Sequence, residues 1–86
     1  MMDIKIGKLS EGPIYMQVRT QIEARIKDKE IKSGEALPAP SMLAQKLAVD
    51  KGEIQRAYFE LVQHGLVTKK TSRDFLGQEK TTYVVN

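Results

Sequence analysis

The stretch that decides the fold reads Leu43-Ala44-Gln45-Lys46-Leu47-Ala48-Val49-Asp50, followed by Ile54, Ala57, Tyr58 and Leu61 and closed by Gly65-Leu66-Val67. Its second half carries apolar residues at i, i+3, i+4 and i+7, the spacing of a helix with one buried face. Gly65 supplies the stop, because glycine takes the left-handed conformation at a helix end without steric cost. His64 beside it, when protonated, suits the negative end of the helix dipole. Asp50 and Glu53 match a capping box at the helix start, worth about 1 kcal/mol. The spacing therefore predicts a helix over 51–64. The first half predicts a shorter helix over 40–47, opened by Pro40, with Met42, Leu43 and Leu47 pointing inward. Ala44 leaves room for two helices to cross closely, and Val49 plugs the turn between them.

Working outward, Ile4 and Ile6 alternate with Asp3 and Lys5, which predicts a short strand over 4–6. Residues 7–12 are polar and turn-prone. Pro13 suits the first turn of a helix predicted over 13–28. In it Ile14, Val18, Ile22 and Ile26 form one stripe, with Gln17, Arg19, Glu23 and Lys27 largely off it. Ile31 is expected to tuck under that helix, and Ser33-Gly34 to turn the chain into Leu37-Pro38. Downstream, Leu66-Val67-Thr68 and Thr81-Thr82-Tyr83-Val84-Val85 are rich in β-branched and aromatic residues and predict a hairpin over 66–85. The segment between them, 69–80, reads as a polar, basic tip containing Gly77. The expected fold is α+β and mainly helical: a winged helix-turn-helix with three helices and a C-terminal β-hairpin wing, in one domain over 1–86.

Composition excludes several functions. A chain of 86 residues buries only roughly 60% of its unfolded surface, so each periodic apolar position has a structural job. With no cysteine there is no disulfide framework and no thiolate metal site, and a reducing cytoplasm is the expected location. No apolar run approaches the ~20 residues of a membrane span, and Met1-Met2-Asp3-Ile4-Lys5 lacks the apolar stretch of a signal peptide. The net charge of +3 suits a polyanionic partner and describes an ordinary surface equally well. His64 is the only histidine, and its place beside Gly65 makes it structural. Ser72, Asp74 and His64 make no triad, since two of them share one hairpin tip and no oxyanion hole is signalled. Metal-ligand spacing is absent. No catalytic residue, metal or cofactor is expected, and the protein is not expected to be an enzyme.

The residues Pro13-Ile14-Tyr15-Met16-Gln17, the segment 34–38, Leu43-Ala44, Val49, Ala57-Tyr58, Leu61 and Gly65-Leu66-Val67 occur in the order and spacing of a known group. Through them the chain resembles the DNA-binding domain of the GntR family of bacterial transcription regulators, over roughly residues 4–85. The resemblance implies a partner in double-stranded DNA and a role in transcription regulation. The family usually adds an effector-binding or dimerising domain after the wing, and the chain is expected to be a short form without one. Where the family typically places a serine cap and a DNA-reaching arginine, this chain has Ala39 and Ser41. Its turn before the third helix reads Asp50-Lys51-Gly52-Glu53, with Lys51 at the matching arginine position. Lysine keeps the charge but lacks the bidentate fork that reads guanine. The acids Asp50 and Glu53 would stand close to phosphates. Thr71-Ser72-Arg73-Asp74 replaces the family's Gly-x-Gly-Thr wing tip.

The candidate DNA-binding residues are Ser41, Lys51, Gln55, Arg56, Lys69, Lys70 and Arg73. Lys51, Gln55 and Arg56 lie on the first turns of the third helix, where Gln55 can read adenine. Ser41 would stand in as a neutral phosphate contact. Lys69, Lys70, Arg73 and Lys80 give the wing four cations against Asp74 and Glu79, which suits phosphate contact. A solvated polar helix face and a lysine-guarded strand edge explain the same residues in structural terms. Phe59 and Val62 are usually polar in the family and are neighbours at i, i+3. Either they form a patch for a protein partner or self-association, or the wing, with Phe75 and Leu76, folds back and covers them. Two functions stay open: a DNA-binding regulator that inserts the third helix in the major groove, and a winged-helix interaction module that has lost specific DNA binding.

Overall fold

The stripe of isoleucine and valine downstream of Pro13 winds into a helix over Ile14–Lys27 (α1), with Val18 and Ile22 fully buried and Ile14 and Ile26 packed at its margins. The computed structural model describes residues 4–7 and 12–86. A second helix, Pro40–Leu47 (α2), starts on its proline, where the missing amide costs nothing. A third, Lys51–Gln63 (α3), buries Ile54, Ala57, Tyr58 and Leu61. Strands Val67–Arg73 (β1) and Glu79–Val85 (β2) form an antiparallel hairpin, in register from Val67 opposite Val85 to Arg73 opposite Glu79. The expected winged helix-turn-helix, three helices and a hairpin, is the architecture found.

The turn between α2 and α3 is tight. Ala48 takes the left-handed conformation at φ 56°, and its N–H donates to the carbonyls at the end of α2. Val49 N–H then donates to Ala44 O at 3.0 Å. A non-glycine residue in that region costs roughly 1–2 kcal/mol, which the packing of Val49 and Leu47 against the core offsets.

Tyr58 ties the layers together. Its ring meets Tyr83 of β2 edge-on with centroids 4.9 Å apart. Its hydroxyl donates to Pro38 O at 2.8 Å. Burial, and then the neighbouring Tyr83, push the Tyr58 hydroxyl well above the ordinary tyrosine pKa. The segment around Pro38 is itself stitched to the root of β2, with Gly34 N–H donating to Val85 O at 2.8 Å and Leu37 N–H to Tyr83 O at 2.7 Å. Ile31 is buried under α1 as expected.

Several expectations are corrected. The segment 4–6 is not a strand. Ile4 is buried and Lys5 exposed, as alternation requires, but the backbone partners are side chains. Lys5 N–H donates to Gln21 Oε1 at 3.0 Å, Gln21 Nε2 donates to Lys5 O at 2.6 Å, and Gly7 N–H donates to Gln17 Oε1 at 2.7 Å. The turn expected over 7–12 lies, apart from its two end glycines, outside the described residues. Gln17 is buried rather than off the stripe, and its Nε2 donates to Gly12 O at 2.8 Å. Met42 faces solvent at 68% exposure, because Leu43, Ala44 and Leu47 already fill the face of α2 that meets the core. The capping box does not form: Asp50 sits at the N-cap without a side-chain hydrogen bond. The strands reach well past 66–68 and 81–85, so the tip shrinks from 69–80 to the residues between Arg73 and Glu79.

Candidate nucleic-acid interface

With four residues of α3 committed to the core, its opposite side is open. Lys51, Gln55 and Phe59, each one turn apart, line that side and are exposed. Gly52 adds no side chain of its own to the first turn. Arg56 is also exposed but is not loose: its guanidinium lies 3.9 Å from the centroid of the Tyr15 ring on α1. Its Nε stands 3.9 Å from Glu60 Oε2, while Glu60 Oε1 holds Arg19 Nη1 at 3.3 Å. Arg56 is thus held over an aromatic face, which steadies the fork at a cost of freedom to reach outward. Lys51 has no ion pair among the described residues.

Glu53 is turned away from that surface. Its Oε1 accepts the Tyr15 N–H at 3.3 Å, so the carboxylate caps the start of α1 instead of its own helix. The acid expected to stand near phosphates is directed into the molecule. Ser41, the second residue of α2, is exposed. Ala39 at the N-cap of that helix has no side-chain acceptor, so the first-turn amides around Ser41 keep unused donors.

The hairpin divides its cations between two faces. Cross-strand partners share a face and neighbours along a strand alternate. Lys69 pairs with Tyr83 and Arg73 with Glu79, on the face that carries the buried Val67 and Val85. Lys70 pairs with Thr82 and Ser72 with Lys80 on the opposite face. The basic cluster legible in the sequence is therefore not one patch. Beyond its root the ribbon is open to solvent, with every residue from 68 to 81 exposed, and the molecule reaches 45 Å along its long axis.

Phe75 and Leu76 do not fold back over α3. They sit at the apex, 96% and 70% exposed, and Phe59 remains 60% exposed. Val62 is half-buried against the core, so the expected Phe-Val patch reduces to Phe59. The sequence reading casts Phe75 and Leu76 only as a cover; two large apolar side chains between turn residues are the signal that marks an exposed apex. Among the described residues no cluster of three or more His, Asp or Glu side chains could hold a metal ion, and no helix is long and apolar enough to cross a membrane.

Three helices with a tight α2–α3 turn, an open α3 face and a projecting two-stranded ribbon define a winged helix-turn-helix domain. Residues 14–75 match the family model described as "Bacterial regulatory proteins, gntR family", and the chain belongs to that family. It is 33% identical over 75 residues to the uncharacterized HTH-type transcriptional regulator YhcF of Bacillus subtilis, covering 87% of this chain and 62% of YhcF. The chain thus spans less than two thirds of that relative's length. Among solved structures it is similar to YtrA from Sulfolobus acidocaldarius, a GntR-family transcription factor, with a TM-score of 0.81, 35% identity, and coverage of 96% of this chain and 79% of YtrA. It is also similar to the AraR DNA-binding domain in complex with operator ORX1, with a TM-score of 0.69, 27% identity, and coverage of 99% of this chain and all of that one.

Proposed function

We propose that the chain is a DNA-binding transcription regulator working in the cytoplasm, with α3 in the major groove of duplex DNA and the hairpin on the phosphate backbone. The observation that carries this reading is the solvent-facing line Lys51, Gln55 on α3 beside a projecting basic ribbon. Lys51 and Gln55 meet base edges, with Gln55 able to make a bidentate pair with adenine. Arg56, steadied on Tyr15, and Ser41 at the start of α2 take backbone phosphates. On the hairpin, Arg73 and one of the oppositely facing lysines Lys69 and Lys70 add sequence-independent contacts. The AraR domain bound to its operator supports the duplex as partner, and the inward turn of Glu53 removes one acid from the interface. With a lysine where an arginine fork would be, base discrimination is weak for one copy, and two copies on paired half-sites supply it.

The test is affinity for a mixed-sequence duplex measured against salt. Log K is expected to fall with log salt at about −0.9 per neutralised phosphate, several units in all. Undetectable binding at low salt overturns the proposal.

A second reading rests on Phe59, which is 60% exposed in the middle of α3. It makes that helix face a contact for a second protein chain. Concentration-dependent sedimentation that Phe59→Ser abolishes supports it; identical sedimentation of the variant does not.

A further inference from the structure

Two side-chain rungs join α1 to α3. In the first, the Arg56 guanidinium lies 3.9 Å from the centroid of the Tyr15 ring. In the second, Arg19 Nη1 stands 3.3 Å from Glu60 Oε1. Tyr15 and Arg19 are one turn apart on α1, as are Arg56 and Glu60 on α3, so the four side chains form a block. Glu60 closes it along α3, with its second oxygen, Oε2, 3.9 Å from Arg56 Nε. One carboxylate thus serves two arginines, one through each oxygen.

The two claims on Glu60 are unequal. Arg19 is the closer partner, and its side chain is 20% exposed against 62% for Arg56. Arg19 Nε is buried and has no hydrogen-bond partner among the described residues. Loss of Glu60 would leave that half-buried cation with still less to compensate it. The neighbouring acids are engaged elsewhere: Glu23 holds Lys27 at 3.0 Å, and Glu53 accepts the Tyr15 N–H. The Arg56 contact is longer and faces solvent, where ion pairs are worth little. A competing anion therefore draws Arg56 away and leaves Glu60 with Arg19. A phosphate is such an anion, and its oxygens match the guanidinium fork.

We propose that Arg19 is a positioning residue for DNA binding: it holds Glu60, so that Arg56 passes from that carboxylate to a backbone phosphate. Glu60 then stays neutralised beside the duplex. The proposal rests on the DNA-binding reading above and adds to it a residue that touches no DNA. Without Arg19, the half-buried Glu60 carboxylate has only Arg56 to neutralise it. Arg56 is then retained on α3, and its phosphate contact is lost.

The test is the salt dependence of binding to a mixed-sequence duplex, compared between the native protein and a set of variants. Arg56→Gln is expected to reduce the salt slope by about 0.9, the value for one phosphate. Arg19→Gln should give the same reduction, and Arg19→Gln with Arg56→Gln no more than either alone, because both remove one contact. Arg19→Gln with Glu60→Gln should return to the native slope, since the competing carboxylate is gone. Arg19→Lys keeps a cation beside Glu60 and should keep the slope. A merely structural role would lower the thermal midpoint and leave the slope of the folded protein alone. A native slope in Arg19→Gln or in Arg56→Gln overturns the proposal and leaves DNA binding standing. So does an additive loss of about 1.8 in the Arg19, Arg56 pair, which would put Arg19 itself on a phosphate. If Arg19→Gln alone does not fold, its combination with Glu60→Gln decides: a slope about 0.9 below native overturns the proposal. Absence of any salt-dependent duplex binding by the native protein overturns the DNA-binding reading as well.

Discussion

Glu53 Oε1, in the first turn of α3, accepts the backbone N–H of Tyr15 in the first turn of α1 at 3.3 Å. Pro13 precedes α1 and has no side-chain acceptor, so that helix begins without a cap of its own. A carboxylate from the partner helix satisfies one orphan donor and places negative charge at the positive end of the α1 dipole. The same residue pair ties the starts of the two helices together. Arg56 lies over the Tyr15 ring, so the tie extends to a candidate DNA contact.

Glu53→Ala is expected to cost about 1 kcal/mol, a typical cap loss. For a domain of this size that lowers the thermal midpoint by roughly 4–8 °C per kcal/mol. Glu53→Gln keeps an oxygen acceptor and loses only the charge, so it should fall between the two. Thermal unfolding by circular dichroism checks the order; an alanine variant as stable as the native chain means the contact contributes nothing.

Tyr58→Phe removes the donor to Pro38 O and should cost about 1 kcal/mol at neutral pH. The pH dependence carries more information. Burial raises the folded-state pKa of Tyr58 above its ordinary value of 10.0, so the folded state holds that proton more tightly than the unfolded chain does. The resulting stability is present in full below pH 10 and is lost as pH climbs from there toward the folded value. Denaturant unfolding above pH 10 should show the native protein weakening more steeply than Tyr58→Phe. Parallel curves would mean that the hydroxyl is not sequestered.

Lys69 and Lys70 lie on opposite faces of the ribbon and several residues from its apex, at roughly 3.3 Å per residue. A duplex lying along one face engages one of them. The double alanine substitution should reduce the salt slope by about 0.9, the value for one phosphate, and one of the two single substitutions should reproduce all of it. Equal contributions from both lysines would require DNA on both faces.

Much of the fold is legible because burial imposes a period. Val18 and Ile22 in α1, and Ile54, Ala57, Tyr58 and Leu61 in α3, are the residues the spacing selects, and all are buried. Legibility fails where a partner is distant or a face is not buried. Glu53 reads as a local cap because its partner, Tyr15, is 38 residues away. The 4–6 segment alternates like a strand, yet Gln21 supplies what a neighbouring strand would. The outer hairpin hides its length because neither face is covered, so no apolar alternation marks residues 68–73 or 79–81. At the candidate site, the exposure of Lys51 and Gln55 follows from the helical period alone. The seating of Arg56 on Tyr15 and the split of Lys69 from Lys70 depend on contacts between elements, which no local pattern encodes.

Amide shift mapping of the uniformly 15N-labelled chain, titrated with a mixed-sequence duplex at low salt, tests the α3-and-hairpin interface most directly. The largest changes should fall on Ser41, Lys51, Gln55 and Arg56 and on the hairpin from 69 to 80, while Val18 and Ile22 of α1 stay in place. Changes confined to α1 and the 31–37 segment, or a spectrum that the duplex leaves untouched, would contradict it.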